Sequence, residues 1–197
     1  AASIVTTEVG QHQMWAHQHI HREESRTFLS SGGLGTMGFG FPAAIGAKIG
    51  RPDCQVVCIA GDGSLQMNIQ EMTTASYYGI NVKVLIMNNS VLGMVHQWQN
   101  LFYDERYSET ILPDLPDFVK VAEAYNWQAE RVEKPEDLEG ALKRLIEADR
   151  PALLDMRIDS DENVFPMVPA GAPLTEMFGY IKVGPNGELI DERKEEK

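Results

Sequence analysis

The chain has 197 residues, of which 43% are hydrophobic and 23% charged, and its formal net charge is −12. That length suits one domain with an ample core, and so large an acidic excess excludes nucleic acid and anionic membrane surfaces as partners. No apolar run reaches the ~18 residues needed to span a bilayer and no signal peptide opens the chain, so the expected location is the cytoplasm.

In chain order, residues 3–7 read as a short strand running into Glu8-Val9-Gly10, and residues 11–21 as a helix. His17 and His21 of that helix have i, i+4 spacing, but the Glu of H-E-x-x-H is absent and no cysteine is near, which argues against zinc. Residues 27–29 form a second strand, followed by a glycine-rich stretch from Ser30 to Gly40 and a helix over residues 41–49, with Pro42 near its start where a missing N–H costs nothing. Gly33-x-Gly35-x-x-Gly38 spells the dinucleotide fingerprint, with Asp53 20 residues after Gly33 (53 − 33). Asp53, however, sits in a turn before the next strand and not at that strand's far end, where a ribose would be gripped. Cys54 and Cys58, the only cysteines, read as two buried thiols.

Residues 56–60 have the length and β-branched content of a buried strand. Gly61-Asp62-Gly63-Ser64 follows as a tight turn, then a helix over residues 67–78 and a second buried strand over residues 82–87, which stops at Asn88-Asn89. A helix over residues 95–102 places Trp98 one turn beyond Met94 on the same face. Residues 117–125 are amphipathic, 127–132 a strand, 135–148 a helix with Pro near N1, and 151–158 the last strand. Residues 163–172 hold too many prolines for regular structure, and residues 191–197 read as a charged, fraying end. The expected fold is a three-layer α/β/α domain over residues 1–180, with a mostly parallel sheet of about six strands, and a charged tail over residues 181–197.

The two central strands and the helix between them form a βαβ unit, which crosses over right-handedly and makes the strands parallel. Asp62 and Asn89 therefore lie at one edge of the sheet, where open α/β folds bind ligands. A carboxylate and a carboxamide oxygen suit magnesium that also holds phosphate. Lys83 is the only cation between Gly61 and Met94 and lies inside a strand, so a phosphorylated ligand would be neutralised by metal, turn amides and helix N-termini. The Walker pattern G-x-x-x-x-G-K-[ST] is absent.

Gly61-Asp62-Gly63 followed by Asn88-Asn89 resembles the thiamine-diphosphate motif shared by decarboxylases, transketolases and their relatives. The continuation Leu92-Gly93-Met94-Val95-His96-Gln97-Trp98-Gln99, then Phe102-Tyr103 and Arg106-Tyr107-Ser108, resembles the large catalytic subunit of the FAD-containing acetohydroxyacid (acetolactate) synthases. The likeness runs from Ile4 to about Met177 and corresponds to the C-terminal third of such an enzyme. It implies that Val9, Gly10, Gln11 and His12 hold the diphosphate, that Gly35 makes room for the aminopyrimidine, and that Met37 wedges beneath the bent cofactor. It assigns Asp62, Asn89 and the backbone carbonyl of Val91 to Mg²⁺, and adds Gly63, Ser64, Gly93, Met94 and Val95 to the cofactor's contacts. Met94 and Trp98 would line the substrate channel, the tryptophan favouring 2-ketobutyrate as acceptor.

The same likeness implies decarboxylation of pyruvate and transfer of the two-carbon unit to a second 2-ketoacid, a step of branched-chain amino acid biosynthesis. It also implies a homo-oligomer, a regulatory small subunit, and an FAD bound by a domain outside this chain. No catalytic residue is expected here, because the family's glutamate belongs to an N-terminal domain of the partner subunit, so the chain alone should be inactive. Residues 163–172 resemble the segment that folds over the site, with Phe165 and Ala170 where the family has Trp and Pro. Two other readings fit the residues: one subunit of a split 2-ketoacid decarboxylase, separable by its aldehyde product, and a non-catalytic nucleotide-binding module.

Overall fold

The computed structural model describes residues 3–179, 181–183 and 189–191, in two compact units, Ala1–Glu162 and Asn163–Lys197. In the first unit the strands are β1 (Ser3–Thr7), β2 (Phe28–Ser30), β3 (Gln55–Gly61), β4 (Lys83–Asn88), β5 (Gln128–Val132) and β6 (Ala152–Arg157). The helices are α1 (Gln11–His19), α2 (Gly40–Gly50), α3 (Asp62–Gln66), α4 (Met72–Tyr77), α5 (Gly93–Phe102), α6 (Phe118–Ala124) and α7 (Pro135–Glu147). The six strands pair in the order β2-β1-β3-β4-β6-β5, every pair parallel.

Side chains alternate across each strand, and this sorts the core into layers. Val56, Cys58 and Ala60 of β3 and Val84 and Ile86 of β4 pack with Phe41, Ala44 and Ile45 of α2, Met72 and Ala75 of α4, and Phe118 of α6. On the opposite face Ile59 meets Ala16 of α1, and Leu154 meets Ala141 and Leu145 of α7. The result is the three-layer α/β/α arrangement. Cys54 and Cys58 are free and buried. Among the described residues, no helix is long and apolar enough to cross a membrane.

One helix differs from the sequence reading. The helix expected over residues 67–78 instead starts at Asp62 and is broken into α3, a 3₁₀ turn at Ile69–Glu71, and α4. Gly61 is extended at φ −83° and ψ 157°, so the chain turns straight from strand into helix. The break falls at Asn68 (φ −139°, ψ 29°), whose side-chain amide donates to the Gly38 carbonyl at 2.8 Å. A helix interior disfavours Asn because its side chain competes for backbone partners, and here that partner lies on the glycine-rich stretch.

In the second unit, Met167 and Phe178 exchange backbone hydrogen bonds at 2.9 and 2.8 Å around a 3₁₀ turn at Leu174–Glu176. Strands β7 (Ile181–Val183) and β8 (Leu189–Asp191) pair antiparallel, so regular structure enters the stretch expected as a tail. The fraying end expected beyond Asp191 lies outside the described residues.

Candidate functional site

The carboxyl ends of β1, β3 and β4 meet at one edge of the sheet, and a cavity of about 170 Å³ opens there. All the residues singled out for cofactor contact border it except Gly35. Gly35 (φ +61°) is turned against Val9, whose Cγ2 would lie 3.2 Å from an added Cβ. The cavity wall also includes Trp15, Gly61, Met87 and Leu92, which sequence reasoning missed. Trp15 follows His12 by three positions on α1, a spacing that could have flagged it.

Asp62 is only 2% exposed. Its Oδ1 accepts from the Gly63 N–H at 2.7 Å and its Oδ2 from the Ser90 N–H at 2.6 Å. Burial pushes its carboxyl above the ordinary range, and the two backbone donors only partly offset that. Such a carboxylate gains from a cation. Asn89, 9% exposed, donates through Nδ2 to Gln11 Oε1 at 3.0 Å, and its Oδ1 accepts from the Val91 N–H at 3.3 Å. The residues on either side of Asn89 are braced by further bonds. Ser90 has a left-handed φ of +59°, and its hydroxyl lies 3.4 Å from Asn88 Oδ1 and accepts from Arg157 at 3.1 Å. Asn88 donates to Asp155 at 2.8 Å, and Asp155 in turn accepts from Arg131 at 2.8 Å.

Glu8, the first residue past β1, is buried at 1% exposure. Its carboxylate accepts from the backbone N–H groups of Gly40 at 3.0 Å and Gly61 at 3.4 Å, and its Oε1 is 3.1 Å from His12 Nε2. It thereby ties β1, α2, β3 and α1 together. The His12 ring fills the space beside two glycines: an added Cβ would come within 2.8 Å of it at Gly10 and 2.9 Å at Gly61. Gly10 also has φ +139°, which L side chains rarely adopt. It precedes α1, whose first N–H groups are left for a ligand or solvent.

Met37 and Gly63 lie together, with Met37 Cε 3.6 Å from where a Gly63 Cβ would stand. Met94 and Val95 border both this cavity and a second, wider one that they share with Trp98, Gln99, Tyr103 and Arg106. Trp98 is 45% exposed and meets the Phe102 ring edge-on at 6.1 Å. Other sequence candidates are occupied elsewhere. Asp53 forms a two-bonded pair with Arg51 at 3.1 and 3.0 Å, and His17 Nδ1 lies 2.8 Å from the Gln13 carbonyl. Among the described residues, no group of three or more His, Cys, Asp or Glu gathers to hold a metal.

The donor set fits a magnesium–diphosphate ligand. A buried carboxylate and a carboxamide oxygen are hard ligands, the start of α1 offers amides to phosphate oxygens, and among the described residues no Lys or Arg borders the cavity to compete for them.

Known proteins agree with this chemistry. The family "Thiamine pyrophosphate enzyme, C-terminal TPP binding domain" matches residues 8–156. A probable acetolactate synthase large subunit of Methanococcus aeolicus is 48% identical over 188 residues, covering 95% of this chain and 31% of that protein. The acetolactate synthase isozyme 2 large subunit of Escherichia coli is 50% identical over 178 residues, covering 90% and 32%. The mitochondrial acetolactate synthase catalytic subunit of Aspergillus candidus is 49% identical over 178 residues, covering 90% and 26%. The chain thus spans about a third or less of the length of these relatives. From strand order, site chemistry and family match together, the chain belongs to the thiamine pyrophosphate enzymes and carries their C-terminal TPP-binding domain.

Proposed function

We propose that the chain is the cofactor-holding part of an acetolactate synthase, which joins the two-carbon unit of pyruvate to a second 2-ketoacid such as pyruvate or 2-ketobutyrate. The observation that carries this is the buried Asp62 carboxylate, which borders with Asn89 a cavity that no Lys or Arg lines among the described residues, together with relatives of that name over 90–95% of the chain. When bound, thiamine diphosphate supplies the carbon centre that accepts a 2-ketoacid and the electron sink for decarboxylation.

The chain's own residues do the rest by placement. Asp62, the Asn89 side-chain oxygen and the Val91 carbonyl hold Mg²⁺. The backbone amides of Gln11 and His12 at the start of α1 receive the diphosphate, and Gly63 and Ser64 at the start of α3 receive it from the other side. Met37 supports the bend of the cofactor beside Gly35. Gly93, Met94 and Val95 close the wall, and Met94 and Trp98 shape the acceptor's path.

The partners that complete the enzyme are an N-terminal domain, an FAD-binding domain, a second catalytic subunit and a regulatory small subunit. The enzyme works in the cytoplasm, in the synthesis of branched-chain amino acids. The test is a titration of the chain with thiamine diphosphate, with and without Mg²⁺, followed by tryptophan fluorescence, since Trp15 borders the cavity. Saturable quenching that requires Mg²⁺ and is not produced by NAD is expected; quenching indifferent to Mg²⁺ would refute the site.

A further inference from the structure

Gln11 does something that cofactor contact does not explain. The residue is 4% exposed and both polar atoms of its side chain are engaged within the protein. Nε2 donates to Gln97 Oε1 at 2.9 Å and to the Glu162 backbone carbonyl at 2.9 Å. Oε1 accepts from Asn89 Nδ2 at 3.0 Å. The N and O atoms of a carboxamide have nearly the same size, so their order must be read from fixed partners. Here two backbone groups settle it. The Glu162 carbonyl can only accept, so the nitrogen of Gln11 faces it and the oxygen faces Asn89. The Val91 N–H can only donate, so the Asn89 oxygen faces the turn and its nitrogen faces Gln11. The two constraints agree across the chain of amides.

We infer that Gln11 is a positioning residue that fixes the Asn89 carboxamide with its oxygen, and not its nitrogen, turned toward the cation. An inverted Asn89 would present an NH₂ group that repels Mg²⁺. With the Gln11 acceptor in place, inversion also sets NH₂ against the Val91 N–H and oxygen against Gln11 Oε1. Gly93 belongs to the same device, since a Cβ there would collide with Gln11 Oε1 and crowd Asn89 Nδ2 at 3.0 Å. The inference rests on the cation assignment of Asp62 and Asn89 made above.

A double-mutant cycle read by Mn²⁺ binding tests it, using electron paramagnetic resonance with saturating thiamine diphosphate, and requires no catalysis. Gln11→Met, which keeps the side-chain volume, is expected to weaken Mn²⁺ binding by about 10–100-fold, as is common for residues that orient a ligand. In an Asn89→Asp background the carboxylate has two equivalent oxygens and nothing to orient. There the same Gln11→Met change should leave Mn²⁺ affinity unchanged or improve it. Gln11→Asn, a methylene too short to reach Asn89, should give the same pattern and serves if Gln11→Met does not fold. Equal losses in both backgrounds would show a general packing or diphosphate role and overturn the inference, as would undiminished binding by Gln11→Met. Asp62→Ala is the control: if it binds Mn²⁺ like the parent, the cation assignment itself fails. If it abolishes binding while Gln11→Met does not weaken it, only the orienting role fails.

Discussion

The Asp62 carboxylate accepts the Ser90 N–H at 2.6 Å, linking the first residue after β3 to the turn after β4. Parallel pairing sets this up: Gly61 is in register with Met87, so the residues just past each strand emerge side by side at the sheet edge. The bond ties the carboxylate to the residue that follows Asn89. Asp62→Ala should therefore abolish Mg²⁺-dependent binding of thiamine diphosphate, measured by fluorescence titration. The fold should lose little, because the lost bonds to Gly63 and Ser90 are offset by removal of a buried charge. Val91→Ala should barely change that affinity, since the role proposed for Val91 needs only its backbone carbonyl.

The same carboxylate sets a pH dependence. Burial raises its pKa above the ordinary value of 3.8, so above pH 3.8 the folded chain holds the Asp62 proton longer than the unfolded chain does. This group therefore lowers stability as pH rises from 3.8 through its raised value, and acidification restores it. Metal binding runs in the opposite sense, since only the ionised carboxylate is a ligand. Mn²⁺ affinity should rise with pH across that window, and in Asp62→Asn the Asp62-dependent part of the slope should vanish. An unchanged slope would remove Asp62 from the metal's coordination.

The His12 ring and Gly61 make a packing prediction. Gly61→Ala should cost about 1–3 kcal/mol, because the methyl group would lie 2.9 Å from the ring in a filled interior. At φ −83° the backbone itself tolerates alanine, so the cost belongs to the ring. Denaturant unfolding should show the Gly61→Ala penalty shrinking in a His12→Ala background; a penalty of the same size there would place the strain elsewhere.

These pairings show which parts of the molecule were legible in the chain. The strands β3 and β4 carry apolar runs that can only be buried, and Asp62 and Asn89 stand where those runs stop. Asp62-Gly63-Ser64 are poor helix formers, so nothing local announced that α3 begins there. Glu8 read only as the residue into which the first strand runs. Its burial depends on the N–H groups of Gly40 and Gly61, 32 and 53 positions away. Gln11 and Gln97 meet across 86 positions, and no periodicity in either helix marks two amides as partners.

Lys83 was legible only as an odd cation in an apolar strand. It is 1% exposed and donates to Asn81 Oδ1 at 2.5 Å, the Ala148 carbonyl at 2.6 Å and the Arg150 carbonyl at 2.8 Å. Burial lowers its pKa from 10.5 to about 8, so between these values the unfolded chain binds more protons and stability rises with pH. At about 1.4 kcal/mol per pKa unit the rise would reach about 2–3 kcal/mol at most, and the three oxygen acceptors, which favour the charged form, reduce it. Urea unfolding at pH 7.5 and 10 should show this rise in the parent and not in Lys83→Met; parallel curves would refute it.

In the complete enzyme, Trp98→Leu should lower the preference for 2-ketobutyrate over pyruvate by about 1–3 kcal/mol, the worth of one methyl group in a pocket. Trp98 shares its cavity with Met94 and Val95, which connects it to the cofactor wall. Decarboxylation of the first pyruvate should be spared. An unchanged product ratio would make Trp98 a packing residue.

The 197-residue chain by itself should form no acetolactate. The likeness to acetolactate synthases implies a carboxylate beside the cofactor's aminopyrimidine that helps move a proton there, and the acids near this cavity are spoken for. Among the described residues Asp62 is the only acid bordering the cavity, and the proposed function commits it to the metal. Glu8 has Gly40, Gly61 and His12 as partners. Glu71 lies on the 3₁₀ turn past α3, outside the cavity wall, and accepts from the Thr74 hydroxyl at 2.7 Å. Lack of a positioned acid–base group costs about 10²–10⁴-fold, and half the cofactor would have no pocket. The chain should fold, bind Mg²⁺ and thiamine diphosphate weakly, and leave FAD unbound. Adding the N-terminal and FAD-binding domains of a close relative in trans should restore turnover, and a glutamate-to-glutamine change in the added domain should remove it. Acetolactate formed by the chain without that complement would show that one of its own acids takes the proton, and would move the catalytic centre into this domain.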